Sequence, residues 1–126
     1  MDLIQHEMRL LPPLPLALPL PAHEALARRC RQFVAKPTSD DTIDDWCENL
    51  AMSRRTFTRL FRRETGLSFV AWRQQACLMA ALPRLAEHVP ITTVALELGY
   101  DNPAAFTTMF KRALGVSPSA YFEERA

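Results

Sequence analysis

Several chemistries are excluded by what the chain has little of. Its three glycines, Gly66, Gly99 and Gly115, stand far apart, so no glycine-rich loop is available to cradle a phosphate. Its three cysteines, Cys30, Cys47 and Cys77, form no C-x-x-C pair, and His6, His23 and His88 lack the i, i+4 spacing of a helical metal site. No metal or cofactor is expected, and the thiols read as reduced packing residues of a cytoplasmic protein. There is no nucleophile elbow and no carboxylate pair in a cleft motif, so catalysis is not expected either. The apolar stretch from Leu10 to Leu20 lacks a basic leader and is broken by Pro12, Pro13, Pro15 and Pro19. It fits neither a signal peptide nor a membrane span.

Charge of one sign is missing as well. Fifteen Lys and Arg face fourteen Asp and Glu, a formal net charge of +1 over 126 residues. That excludes a polybasic protein held on nucleic acid by its bulk field, but recognition depends on where the charges sit. No segment shows the period-two alternation of a strand, so the fold class is all-α.

With Pro21, residues 12–21 hold five of the ten prolines and should run extended as a semi-rigid connector. Ahead of it, Leu3–Leu11 has helical apolar spacing, either as a frayed terminus or as the end of an upstream domain, so residues 1–21 are a linker or the end of a missing upstream domain. From His23 to Ala35, the apolar residues Leu26, Ala27, Cys30, Phe33 and Val34 recur at three- and four-residue intervals, the pattern of an amphipathic helix ended by Lys36-Pro37. Thr42 can cap a second helix, with Asp44 and Asp45 in its first turn where negative charge complements the helix dipole.

Sliding the chain against itself gives the most informative pattern. Ile43, Trp46, Cys47, Leu50 and Ala51 align, 48 positions on, with Ile91, Val94, Ala95, Leu98 and Gly99. Phe57, Leu60, Phe61, Gly66 and Ser68 align, 49 positions on, with Phe106, Met109, Phe110, Gly115 and Ser117. The one-residue difference falls where a turn tolerates it. Each copy reads as a short helix, a tight turn opened by Ala51 or Gly99, a second helix with an apolar i, i+3, i+4 triplet, and a glycine suited to the left-handed cap: a helix-turn-helix. Ser53 and Asn102 are the expected caps of the second helices, with Pro103 at the start of the later one. Trp46 and Trp72 read as core residues.

The charges can now be placed on this frame. Residues 53–76 carry six arginines against Glu64, a local balance of +5, while residues 38–50 carry a balance of −5. With Phe57, Leu60 and Phe61 turned inward, Arg54, Arg55, Thr58 and Arg59 face outward on a helix at about residues 53–64. There arginines can read guanine in a major groove. On the second such helix, about residues 103–113, Ala104, Thr107 and Thr108 face outward and suit thymine methyls and hydroxyl contacts. Ser53, Arg62, Arg63, Arg73, Asn102, Lys111 and Arg112 are the candidates for phosphate contacts. The helix between the copies, residues 68–88, would span about 30 Å, close to the ~34 Å between successive major-groove faces. Pro83 should kink or break it near residues 79–82. A helical protein-protein interaction module without sequence-specific DNA binding is the alternative these residues leave open; its binding would be nearly insensitive to salt.

The run Ser53-Arg54-Arg55-Thr56-Phe57-Thr58-Arg59-Leu60-Phe61-Arg62-Arg63-Glu64-Thr65-Gly66 carries a resemblance. So do the later Val94-Ala95-Leu96-Glu97-Leu98-Gly99-Tyr100, Phe106, Phe110-Lys111, Gly115-Val116-Ser117-Pro118 and Tyr121. From about His23 to Phe122 the chain resembles the DNA-binding domain of the AraC/XylS family of bacterial transcription regulators. The resemblance implies about seven helices and one domain, residues 22–126, built of two helix-turn-helix subdomains (22–67 and 89–126) joined by a long, Pro83-kinked connecting helix (68–88). It implies double-stranded DNA bound in adjacent major grooves, frequent contact with RNA polymerase, and a cytoplasmic, nucleoid-associated protein. Position by position it places Arg54, Arg55, Thr58 and Arg59 of the first recognition helix, and Ala104, Thr107 and Thr108 of the second, against bases. The leucine- and proline-rich segment is similar to the connector that in many members follows a cupin-like sensor and dimerisation domain. The chain is then either an excised DNA-binding half, the favoured reading, or a stand-alone member similar to the small stress-response activators. The isolated domain is expected to be monomeric, with dimerisation through the absent N-terminal domain. The chain departs from the family pattern at Cys77, where arginine is common, at Ala51 in place of the turn glycine, at Pro83, and at Phe122.

Overall fold

In the computed structural model, residues 18–125 are described, and within them all regular structure is helical. The helical stretch expected at Leu3–Leu11 and residues 12–17 of the expected connector lie outside the described residues; residues 18–21 have no regular secondary structure. Seven helices follow in order among the described residues: α1 (Glu24–Ala35), α2 (Ile43–Leu50), α3 (Arg54–Thr65), α4 (Phe69–Ala86), α5 (Ile91–Glu97), α6 (Pro103–Leu114) and α7 (Pro118–Arg125).

The starts and stops follow from local chemistry. Ser53 and Asn102 accept hydrogen bonds from the backbone N–H of Thr56 and Ala105 at 3.1 and 2.8 Å, which makes them the caps of α3 and α6. Thr42 caps α2, and Asp45 returns the bond to the Thr42 N–H, completing a capping box. Gly66 and Gly115, equivalent in the repeat, end α3 and α6 at φ of 80° and 86°. Ser68 and Ser117, equivalent again, cap α4 and α7.

Both copies pack into one continuous hydrophobic core. In the first, Trp46 is fully buried and its ring lies 4.9–6.2 Å from those of Phe33, Phe57, Phe61, Phe69 and Trp72. The equivalent position in the second is Val94, also buried, and there the rings of Tyr100, Phe106, Phe110 and Tyr121 pack in series. In both copies the first helix packs on the second, α2 on α3 and α5 on α6, while α4 touches both units. The small residues at the crossings, Cys47 and Ala95, are buried as the repeat requires.

Two expectations are corrected. Val34, counted on the apolar face of α1, is 46% exposed, and that face consists of Leu26, Ala27, Cys30 and Phe33. Pro83 does not break the connecting helix, which runs without interruption for 18 residues. Proline sits in its final turn on the exposed side, so only the bond its own nitrogen would have made is lost. Its carbonyl still accepts from the Glu87 N–H at 3.1 Å. At about 1.5 Å per residue α4 is about 27 Å long.

Candidate nucleic-acid interface

The proposed reading face on α3 is assembled by the burial of its other side. Phe57 and Phe61 are fully buried and Leu60 nearly so, which turns Arg54, Arg55, Thr58, Arg59, Arg62 and Arg63 to solvent, all of them exposed. Positions 54, 55, 58, 59 and 62 share one face of a 3.6-residue helix. On α6, burial of Phe106, Met109, Phe110 and Leu114 leaves Ala104, Thr108, Lys111 and Arg112 exposed and Thr107 half-buried. The two outward sets therefore stand where the repeat places them.

Not every candidate is free to act. Arg54 Nη1 lies 2.8 Å from Asp44 Oδ1 in an exposed ion pair with the acidic first turn of α2, a contact that Arg54 must give up to reach a base. Exposed pairs of this kind contribute little stability. The Ser53 hydroxyl accepts from the Thr56 N–H and donates to Thr56 Oγ1 at 3.0 Å, so it is committed to the cap. Asn102 uses Oδ1 for its cap, which leaves the amide N–H groups as donors.

Arg73 differs from the expectation of a phosphate contact. Its Nη1 donates to the Asp41 carbonyl oxygen at 2.5 Å, its guanidinium lies 5.7 Å from the centre of the Phe69 ring, and its Nε is buried. It is half-buried and tied to the loop before α2.

The loop is held from other sides as well. Arg29 Nη2 and Trp46 Nε1 both donate to Asp41 Oδ2, at 3.0 and 2.9 Å, while Arg29 also lies over the Trp46 ring at 4.2 Å and bonds Asn49 Oδ1. A second network fixes the entry to the domain: the backbone N–H groups of Ala22 and His23 donate to Glu64 Oε1 at 2.6 and 2.8 Å, and Trp72 Nε1 donates to the Pro19 carbonyl. The His23 and Ala22 bonds hold the Glu64 carboxyl below the usual carboxylate range. Sequence reasoning missed both networks. The only signal for them was an aspartate or glutamate beside a segment otherwise rich in partners of opposite character.

The cysteines are free and buried. Burial pushes the thiols of Cys30 and Cys77 up to about 12 and raises that of Cys47, which makes them unreactive packing groups. Cys77, where the family resemblance implied an arginine in many members, is fully buried. Among the described residues no cluster of His, Cys, Asp and Glu is placed to hold a metal ion, and no helix is long and apolar enough to cross a membrane.

Comparison with known proteins gives consistent matches. Residues 46–124 match the family described as "Helix-turn-helix domain". Over 106 residues the chain is 40% identical to the HTH-type transcriptional regulator NimR of Escherichia coli, covering 84% of this chain and 39% of that protein. Among solved structures, the C-terminal domain of AraT, a response regulator from Geobacillus stearothermophilus, superposes with a TM-score of 0.68 at 34% identity, covering 75% of this chain and 80% of that one. The DNA-binding domain of AdpA, a global transcriptional factor solved in complex with a target DNA, does so with a TM-score of 0.70 at 29% identity, covering 75% and 86%. The chain spans less than half the length of the curated relatives it matches.

Proposed function

Because the chain belongs to the AraC/XylS-type family of helix-turn-helix domains, we propose that it binds double-stranded DNA in a sequence-specific way and regulates the initiation of transcription. The observation that carries this reading is the α3 surface. Five arginines and Thr58 are exposed on the helix whose opposite side packs into the core. In this reading α3 and α6 enter adjacent major grooves on one side of the duplex. Arg54, Arg55, Thr58 and Arg59 supply most base discrimination, while Ala104, Thr107 and Thr108 add apolar and hydroxyl contacts. Arg62, Arg63, Lys111, Arg112 and the Asn102 amide hold phosphates. Ser53 contributes through its cap and Arg73 through the fold.

Regulation then proceeds without catalysis, by placing the protein beside RNA polymerase on the chromosome in the cytoplasm. The domain by itself is monomeric. In support, its exposed large apolar side chains among the described residues, Leu20, Val34, Val70 and Leu96, lie on four different segments of the chain. A longer protein carrying this domain would dimerise through a further domain.

The test is the salt dependence of binding to a duplex selected from a random pool, beside an unselected duplex. Four cationic phosphate contacts weaken binding about a hundredfold between about 50 and 200 mM salt, and the unselected duplex binds about a thousandfold less tightly. Binding indifferent to both salt and sequence would instead favour the protein-interaction module.

A further inference from the structure

The repeat makes Ala51 and Gly99 equivalent, yet their surroundings differ. Both sit in the left-handed region, at φ of 54° and 82°. Ala51, which ends α2, is exposed. At Gly99, a Cβ would collide with Thr38 Oγ1 and meet Asp40 Oδ2 at 3.0 Å. The space that a side chain occupies in the first copy is filled, in the second, by a loop from the first copy.

That loop is also bonded there. The Ser39 N–H donates to the Leu98 carbonyl oxygen at 2.7 Å, joining the segment before α2 to the turn between α5 and α6, 59 positions away in sequence. Within the loop, the Asp40 N–H donates to Thr38 Oγ1 at 3.1 Å. Its following residue, Asp41, is anchored to α1 through Arg29, to α2 through Trp46 and to α4 through Arg73. The loop is therefore fixed to two helices of the first half and to the connecting helix, and it reaches into the turn of the second half that sets the angle between α5 and α6.

We propose that residues 38–41 form a clasp that, closed on Leu98 and Gly99, sets the relative orientation of the two recognition helices, with Ser39, Asp41 and Gly99 as positioning residues for two-site DNA binding. The inference rests on the reading of α3 and α6 as recognition helices. The halves are also joined through α4, its turn at His88, where φ is 68°, the Arg84–Glu97 ion pair, and the core in which α4 packs on both halves. All of these links run through α4, about which the halves can pivot, and a direct link from the first half to the second restricts that pivoting. Two recognition elements held at a fixed span bind a matching pair of sites with a high effective concentration and reject a mismatched span; a hinged pair loses both properties.

The test compares the wild-type chain with Ser39→Pro, which removes the donor, and Gly99→Asn, which tolerates a positive φ but puts a side chain in the path of the loop. These break the clasp from opposite sides, so misfolding of one leaves the other to decide. Each protein is titrated on three duplexes: one selected from a random pool on the wild-type chain, the same duplex with one base pair inserted between the half-sites, and a duplex keeping only the half-site read by α3. For the wild type the insertion should cost about tenfold or more, and for the variants about threefold or less. The variants should bind the selected duplex about tenfold more weakly and the single half-site within about twofold of wild type. Variants that keep the wild-type penalty for the insertion would overturn the clasp as the positioning element. A wild-type chain indifferent to the insertion would overturn the two-groove reading itself, and the clasp with it.

Discussion

Trp46, the centre of the aromatic cluster of the first copy, donates its indole N–H to Asp41 Oδ2 at 2.9 Å, so a fully buried ring is tied to the loop in front of its own helix. The same oxygen accepts from Arg29, whose side chain is 17% exposed against 23% for Asp41. Removing the carboxylate strands a donor in the core and a guanidinium beside it. Asp41→Ala should destabilise the domain by about 2–3 kcal/mol, read as a lower urea midpoint with unchanged slope. Asp41→Asn, which keeps one acceptor, should cost less. A loss under about 0.5 kcal/mol for Asp41→Ala would mean that the two donors are satisfied by water instead.

Ala51 carries strain that its repeat partner avoids. An alanine in the left-handed region costs about 1–2 kcal/mol, of which the greater freedom of glycine in the unfolded chain returns part. Ala51→Gly should therefore stabilise the domain by about 0.5–1 kcal/mol in thermal or urea unfolding. A destabilised variant would contradict the observed turn.

The arginines of α3 should separate by role. Arg55→Ala and Arg59→Ala should each weaken binding to a selected duplex by about 1–3 kcal/mol while leaving unselected duplex nearly unaffected. Arg62→Ala should weaken both alike and lower the salt slope by about one. Equal losses for all three on both duplexes would remove the division between base and phosphate contacts.

Glu64 gives the domain a pH-dependent entry. Its bonds from His23 and Ala22 favour the ionised carboxylate, so its folded-state pKa lies below the ordinary 4.5. The stability it contributes is fully present above that value and is lost as pH falls through the lowered one. Urea midpoints of the wild type and Glu64→Gln, followed from neutral pH to about pH 3, should differ most near neutrality and converge at the acid end. A gap that stays constant over that range would assign the contribution to something other than the charge.

Much of this was legible in the sequence because it is local. The order of α1 to α6, the caps at Thr42, Ser53 and Asn102, the glycine stops and the inward and outward faces of α3 and α6 each depend on residues within a turn or two of one another, while a seventh helix is implied only by the family resemblance. The repeat added the pairing of the halves. What escaped depends on the path of a loop. Asp41 draws in Arg29, Trp46 and Arg73 from three helices, and Ser39 reaches Leu98. No periodicity encodes these contacts, and the same acidic run reads equally well as helix-dipole charge. Arg73 escaped for that reason: on the pattern it is one more arginine in a basic stretch, and only the fold shows that its partner is a carbonyl. The tolerance of Pro83 is illegible in the sequence because it depends on where the helix ends, and here only three residues of α4 follow it.

The most direct test of the account is selection of bound sites from a random duplex pool by this chain. It should recover two half-sites about one helical turn, ~10 base pairs, apart, with the half-site read by α3 better defined than the one read by α6. Recovery of a single half-site, of two at scattered spacings, or of no enriched sequence would contradict it.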